Sequence, residues 1–225
     1  SLALGTGEVT TLGLTAAFAA FANGGNAVRP RGILAVADED GELAWDQQVE
    51  RRKVLPRDVA FQVESLLRDV VDEGTARRLR ELGVRFPVAG KTGTTDDYKD
   101  AWFVGFSPNL TVGIYIGFDQ PSSLGHGETG GMNAAPIFRD FMAQAVGKQP
   151  AIPFRVPPGI RMVRVDLKSG LPSPAGAVLE AFKVGTEPGT GYRARGEGWG
   201  TSGTDQEGDP NDPAAANNQT NWGLY

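Results

Sequence analysis

At position 88 the spacing of apolar residues changes from helical to alternating, and this switch constrains the fold of the 225-residue chain more than any other feature. Upstream, Val59, Val63, Leu66, Leu67 and Val70 recur at helical spacing behind Pro56, which predicts a helix running to about Asp72. Downstream, residues 88–95 (VAGKTGTT), 101–106 (AWFVGF) and 110–118 (LTVGIYIGF) read as strands. Ser107-Pro108-Asn109 makes a tight turn that joins the second and third into an antiparallel hairpin. Locally paired strands must bury a face against helices, so the fold class is α+β, an antiparallel sheet flanked by helices at 59–73 and 134–146.

The rest of the chain is read around that sheet. Thr10 or Thr11 can cap a first helix in which Leu14, Ala17, Phe18 and Phe21 form one stripe, stopped by Asn23-Gly24-Gly25. Residues 28–37 read as a strand that turns at Asp40-Gly41 toward Leu43–Trp45, a peripheral hairpin. Gly74 breaks the long helix, and Thr75 is placed to cap a short basic helix carrying Arg77, Arg78 and Arg80 on a solvated face. Residues 125–131 read as a loop. The predicted division is a main unit over 1–150 and an extension over 151–188, with a small hairpin from Ile160–Asp166 to Val178–Lys183. Residues 189–225, rich in Gly, Asn and Asp, read as a disordered tail because they offer too little apolar area to offset chain entropy.

Composition removes several function classes. With 22 basic and 27 acidic groups the net charge is −5, which speaks against a nucleic-acid surface. There is no cysteine, so disulfides, thiolate metal sites and Cys nucleophiles are excluded. His126 is the single histidine, which rules out a multi-histidine metal site and leaves one candidate for a Ser-His-Asp triad. It sits between glycines in a predicted loop and is read as solvated. No run reaches the roughly 18–20 apolar residues that span a bilayer. The chain opens on Ser1 rather than Met, which reads as a cut.

Chemistry concentrates in Gly90-Lys91-Thr92-Gly93-Thr94-Thr95. On a strand, Thr92 and Thr94 put two hydroxyls on one face, and Lys91 supplies a fixed positive charge. Gly93 removes the side chain between them, so a ligand can approach the backbone. The N–H groups of a free strand edge can pair with an extended peptide or stabilise an oxyanion. Together these suit a carboxylate-bearing, peptide-like ligand. The same residues would also fit an ordinary Thr-rich edge strand.

The surrounding strings narrow this choice. Lys-Thr-Gly is one of three motifs of serine penicillin-recognising enzymes, beside Ser-x-x-Lys and Ser-x-Asn. Ala89 to Thr95 followed by Asp100-Ala101-Trp102-Phe103-Val104-Gly105-Phe106-Ser107-Pro108 resembles the transpeptidase domain of class A penicillin-binding proteins. Ser1-Leu2-Ala3-Leu4-Gly5, Phe21-Ala22-Asn23-Gly24-Gly25, Gly117-Phe118-Asp119, Glu128-Thr129-Gly130-Gly131 and Ala134-Ala135-Pro136-Ile137-Phe138 continue the likeness in order. Pro157-Pro158-Gly159-Ile160 and Phe182 to Pro188 resemble that family's C-terminal extension.

The resemblance implies a peptidoglycan D,D-transpeptidase that cross-links stem peptides by serine acyl transfer. It implies that Lys91 assists proton transfer, that Thr92, Gly93 and Thr94 bind the substrate carboxylate region, and that the Thr94 N–H is an oxyanion donor. Expected partners are a stem peptide ending in D-Ala-D-Ala, β-lactam antibiotics, an upstream part of the same protein and cell-wall assembly proteins. No metal or organic cofactor is expected. The implied location is the periplasmic face of the bacterial cytoplasmic membrane, with an upstream anchor. A penicillin-recognising hydrolase (carboxypeptidase or β-lactamase) and a non-catalytic assembly domain are the competing readings.

One departure stands out. No Ser-x-x-Lys occurs; the nearest string, Ser65-Leu66-Leu67-Arg68, ends in arginine, which cannot serve as a base. Ser107-Pro108-Asn109 spells Ser-x-Asn but follows Lys-Thr-Gly in a turn, where the family places that motif upstream. The nucleophile is therefore expected outside this chain, which reads as the C-terminal portion of a domain incomplete at its N-terminal side. Gly198 to Gly203 matches Gly-x-Gly-x-x-Gly without the strand and helix that motif needs. Asp96, Asp97, Tyr98 and Lys99 are read as a loop at the cleft mouth, and Trp102, Phe103, Phe106, Tyr115 and Phe118 as core.

Overall fold

A computed structural model describes residues 7–48, 50–146, 150–175 and 178–189 of the chain. In chain order the elements are α1 (Thr11–Ala22), β1 (Asn26–Ala27), β2 (Ala35–Ala37), β3 (Leu43–Asp46), β4 (Arg52–Lys53), α2 (Arg57–Asp72), α3 (Arg78–Glu81) and β5 (Ala89–Thr94). Then follow β6 (Ala101–Phe106), β7 (Thr111–Ile116), α4 (Ala135–Ala145), β8 (Ile160–Val165) and β9 (Val178–Lys183). Short 3₁₀ and π-helical turns lie at Asp96–Tyr98 and Gly130–Ala134.

The central sheet is antiparallel with order β5-β6-β7, and Ser107-Pro108-Asn109 forms its second turn, with the Ser107 N–H donating to the Leu110 carbonyl at 2.9 Å. Gly90, Thr92 and Thr94 oppose Gly105, Phe103 and Ala101, so these six share one face. That face is covered by α4, where Phe138 meets Phe103 edge-on at 4.8 Å. Val71, Leu79, Val84, Val88 and Met142 complete the buried core around this pair. The opposite face receives α1, whose Thr15 sits where a side chain on Gly113 would stand. The fold class read from the sequence is the one observed.

Local signals explain the termini. The Thr10 hydroxyl accepts from the Gly13 N–H at 3.1 Å and caps α1, and Gly24 takes a positive φ of 73° at its end. The predicted hairpin in the extension is present as β8 paired with β9. It clamps α2 through a Lys183–Asp58 ion pair at 2.9 Å and a bond from the Gln62 amide to the Ala181 carbonyl at 3.1 Å.

Several expectations are corrected. The strand expected over 28–37 shrinks to Ala35–Ala37, because Pro30 lacks a ladder donor and Gly32 adds no packing surface. Strand β7 ends at Ile116 rather than Phe118. Gly130 and Gly131, expected in a loop, open the π-helical turn that leads into α4. Thr75 does not cap α3; its hydroxyl instead bonds Thr92. Arg80 is not on a solvated face: it pairs with Asp72 at 2.7 Å and donates to the carbonyls of Val84 and Phe86. Tyr115 and Phe118 are exposed rather than core, at 42% and 53%. Along α1, Ala20 is the buried residue; Leu14, Phe18 and Phe21 of the expected stripe are half-buried, and Ala17 is exposed. The residues from 190 onward, which contain nearly all of the expected tail, lie outside the described residues.

Helix α2 carries the largest surprise. Its buried residues are Ala60, Phe61, Glu64, Ser65 and Val71, while Leu66 of the apolar stripe is exposed. Burial pushes the Glu64 carboxyl up to about 7, with only partial relief from Arg68. Burial, with the Glu180 charge nearby, also raises Asp69 to about 6. The folded chain thus keeps the Glu64 proton where the unfolded chain releases it, so stability falls as pH rises from about 4.5 to about 7. Glu64→Gln is expected to raise stability at pH 8 by roughly 1–3 kcal/mol and to leave it nearly unchanged at pH 5, measured by urea unfolding. Equal shifts at both pH values would contradict the burial account. Phe138→Ala, which empties the centre of the core, is expected to cost roughly 3–5 kcal/mol in the same assay.

Candidate active site

The candidate site is built on the outer strand β5 and two segments that converge on it. The Thr95 N–H donates to the Asp100 carbonyl at 3.2 Å, on the β6 side. Backbone groups alternate in direction along an antiparallel strand, so the N–H and C=O groups of Thr94 and Thr92 point away from β6. Among the described residues no strand pairs with that edge. The Lys91 Nζ confirms the direction by donating to the outward Thr92 carbonyl at 2.8 Å, and it lies 3.5 Å from the Thr92 hydroxyl. Lys91 has no ion-pair partner among the described residues, and it is exposed.

Side chains on the other axis are fixed by neighbours. The Thr92 and Thr75 hydroxyls share a bond of 2.7 Å. The Thr94 hydroxyl accepts from the Gly130 N–H at 3.2 Å. Gly130 rests directly on the sheet: a Cβ there would collide with the Trp102 carbonyl and come within 2.6 Å of the Gly93 carbonyl. At Gly131 a Cβ would meet the Thr75 carbonyl at 2.8 Å. Gly130 lets the π-helical turn lock against the sheet and hold Thr94, and Gly131 lets it close on the Thr75 loop.

The Thr94 end of the strand is closed by a constrained loop. Asp97 and Tyr98 both take left-handed φ values, 60° and 55°, which non-glycine residues adopt at a cost. The loop is held by the Tyr98 carbonyl accepting from the Leu124 N–H at 2.8 Å and by Tyr98 packing on His126 at 5.6 Å. Asp100 is fixed by the Tyr115 hydroxyl, which donates at 2.9 Å, and by its own N–H donating to the Thr95 hydroxyl at 2.8 Å. That bond to Asp100 raises the Tyr115 phenol above its ordinary value. Asp96 to Lys99 therefore form a braced turn rather than a free one, with a Lys99–Asp97 pair at 3.3 Å.

The structure brings Lys91, Thr92, Gly93 and Thr94 together and leaves Ser107 and His126 apart from them. Ser107 is buried at 6%, just beyond the Ala89 end of the sheet, about 20 Å from Thr94 at ~3.4 Å per residue. Its hydroxyl accepts from the Asn109 N–H at 3.4 Å, as a turn residue does. Ser65 is buried, and its hydroxyl lies 3.4 Å from Arg68. Among the described residues, no serine hydroxyl bonds a lysine or histidine, and no cluster of three or more His, Asp or Glu could hold a metal. What the site can do chemically is hold an anion: a fixed cation, two hydroxyls and outward N–H groups surround one strand edge. Thr75, Gly130 and Asp100 were missed as site residues; Glu128 to Gly131 carried a signal in the ordered strings, but nothing in it assigned a contact.

Known proteins resemble the chain over most of its length. The family model "Penicillin binding protein transpeptidase domain" matches residues 1–143. Penicillin-binding protein 1A of Aquifex aeolicus is 44% identical over 190 residues, covering 84% of this chain and 26% of that protein. Penicillin-binding protein 1A of Rickettsia bellii is 36% identical over 207 residues, covering 82% of this chain. The crystal structure of penicillin-binding protein 1A from Haemophilus influenzae superposes with a TM-score of 0.75 at 30% identity, covering 83% of this chain and 34% of that one. The chain spans about a quarter of the length of the relatives it matches, 26% in both cases. It belongs to the penicillin-binding protein transpeptidase family.

Proposed function

We propose that this chain is the part of a peptidoglycan D,D-transpeptidase that binds the substrate carboxylate and the reaction oxyanion, while the nucleophilic serine and its lysine base lie in other residues of a longer protein. The outward Thr94 N–H beside Lys91, which has no ion-pair partner among the described residues, carries this reading. In the reaction, a serine Oγ attacks the carbonyl carbon of the penultimate D-Ala, the terminal D-Ala leaves with its nitrogen protonated, and a neighbouring stem-peptide amine takes the acyl group. The Thr94 N–H would stabilise the oxyanion, an interaction typically worth on the order of 100–1,000-fold in rate. Thr92 and Thr94 hydroxyls would hold the terminal carboxylate of the stem peptide, or that of a β-lactam, and Lys91 would assist proton transfer to the leaving amine. No metal takes part in this scheme.

Two further observations support a longer parent. Helix α1 is apolar nearly all round yet leaves Leu12 exposed at 65% beside an exposed Val9, as expected where further polypeptide packs. Among the described residues no helix is long and apolar enough to cross a membrane. The proposed location, the periplasmic face of the cytoplasmic membrane, therefore depends on an anchor elsewhere in the parent. Residues 151–188 are proposed as the C-terminal extension, with β8 and β9 clamped on α2.

Labelling with a fluorescent penicillin, read by gel and mass spectrometry, tests this reading. The 225-residue chain alone is expected to form no acyl adduct, and a parent protein carrying Ser-x-x-Lys to label stoichiometrically. In that parent, Lys91→Ala is expected to slow acylation by roughly 100–10,000-fold, the range of a lost proton-transfer group. Thr94→Val is expected to cost roughly tenfold to a hundredfold, one hydrogen bond to a charged group. A stoichiometric adduct on any serine of the 225-residue chain would overturn the proposal.

A further inference from the structure

A carboxylate offers lone pairs and no proton, so a threonine hydroxyl that binds one must spend its single proton on it. The hydroxyl is fixed in that sense when a neighbour donates to its oxygen from behind. Thr94 has such a neighbour, because its oxygen accepts from the Gly130 N–H at 3.2 Å, which leaves the Thr94 proton for a ligand. A backbone N–H only donates, so that polarity cannot reverse. Among the described residues no backbone N–H does the same for Thr92. Lys91 Nζ lies 3.5 Å from the Thr92 hydroxyl, at the outer limit of a hydrogen bond, and its short bond goes to the Thr92 carbonyl at 2.8 Å. What stands behind the Thr92 oxygen is the Thr75 hydroxyl, at 2.7 Å.

Thr75 is seated there by its neighbours on both sides. The Gly74 N–H donates to the Asp69 carbonyl at 3.0 Å, and a Cβ on Gly74 would come within 2.8 Å of the Val70 backbone. Ala76 is fully buried, and its N–H donates to the Val70 carbonyl at 3.0 Å. The Thr75 carbonyl faces Gly131, where a side chain would collide with it. The Thr75 side chain itself caps no helix and is exposed, so its hydroxyl belongs to the surface of the site. Geometry allows the bond between the two threonines to run either way. If Thr92 donated to Thr75, its oxygen would turn lone pairs toward a bound carboxylate and repel it. If Thr75 donates, the Thr92 proton is released toward the ligand, and the Lys91 ammonium favours this sense by drawing the Thr92 lone pairs to its own side.

We propose that Thr75 is a positioning residue for carboxylate recognition: its hydroxyl donates to the Thr92 oxygen, so that Thr92 gives its proton to the substrate carboxylate, as the Gly130 N–H arranges for Thr94. The proposal rests on the reading of Thr92 and Thr94 as the carboxylate-binding hydroxyls. Two hydroxyls in series that end on an anion are polarised in one sense, each bond strengthening the next. Thr75 therefore acts through Thr92, and what it sets is the preference for a charged carboxylate over a neutral group at that place.

Acylation rates of the longer protein carrying Ser-x-x-Lys, measured with benzylpenicillin and with its methyl ester, test the proposal. The ester keeps the reacting ring and removes the charge. Thr75→Val, which keeps the shape without the hydroxyl, is expected to slow the acid roughly tenfold, about one hydrogen bond, and to leave the ester unchanged. Thr75→Ser should restore the preference for the acid. The double variant Thr75→Val with Thr92→Val should be no slower than Thr92→Val alone, since the first residue acts through the second. Acid acylation unchanged by Thr75→Val, equal slowing of acid and ester, or no rescue by Thr75→Ser would overturn the positioning role while the carboxylate reading of Thr92 stands. If Thr92→Val also left the preference for the acid intact, that reading would fail and the proposal with it.

Discussion

The antiparallel pairing of β5 with β6 is the constraint on which the site depends. It fixes which backbone groups of Lys91–Thr94 face the sheet and which face outward, because a shift of one residue would reverse every one of them. With Thr95 closed onto Asp100, the Thr94 N–H is outward and its hydroxyl lies on the Phe103 face. The core then keeps this register: Phe103 is held between the sheet and Phe138, and slipping the strand would pull its partner face from the packing. Stability and function share a single geometric choice here.

The second layer is the contact between strand and turn. Gly130 presses the start of α4 onto the sheet at a distance no side chain tolerates, Gly131 does the same against the Thr75 carbonyl, and the Gly130 N–H donates to the Thr94 hydroxyl. The core helix α4 and the site are thus parts of one packed unit. At the far end, the β8–β9 hairpin and the Phe154 segment hold α2 from outside, with Phe154 edge-on to Phe106 at 5.9 Å. That coverage buries Glu64 and Asp69, so the extension sets the acid side chains' environment as well as their position.

Much of this was legible in the sequence, for identifiable reasons. The switch at position 88 marked the sheet because alternation follows directly from the strand period, and the helices α1, α2 and α4 followed from caps and 3.6-residue spacing. Lys91, Thr92, Gly93 and Thr94 could be singled out because a charge, two hydroxyls and a glycine on one strand are what a proposed anion site needs, and the structure places them together on β5. What the sequence concealed depends on tertiary contacts. Thr75 looked like a helix cap because Thr at a loop–helix junction usually is one, yet its hydroxyl bonds a strand residue 17 positions further along the chain. Leu66 looked more buried than Glu64 because the apolar stripe of α2 carries no information about the hairpin that covers its other side.

The central claim is that the outer edge of β5 receives the substrate's carboxylate and oxyanion. A crystal structure of the penicillin acyl-enzyme of the longer protein tests it most directly. The account predicts the acyl carbonyl oxygen within hydrogen-bond distance of the Thr94 N–H, and the antibiotic's carboxylate against the Thr92 and Thr94 hydroxyls. A bound penicillin whose carbonyl oxygen and carboxylate both lie away from residues 91–94 would contradict it.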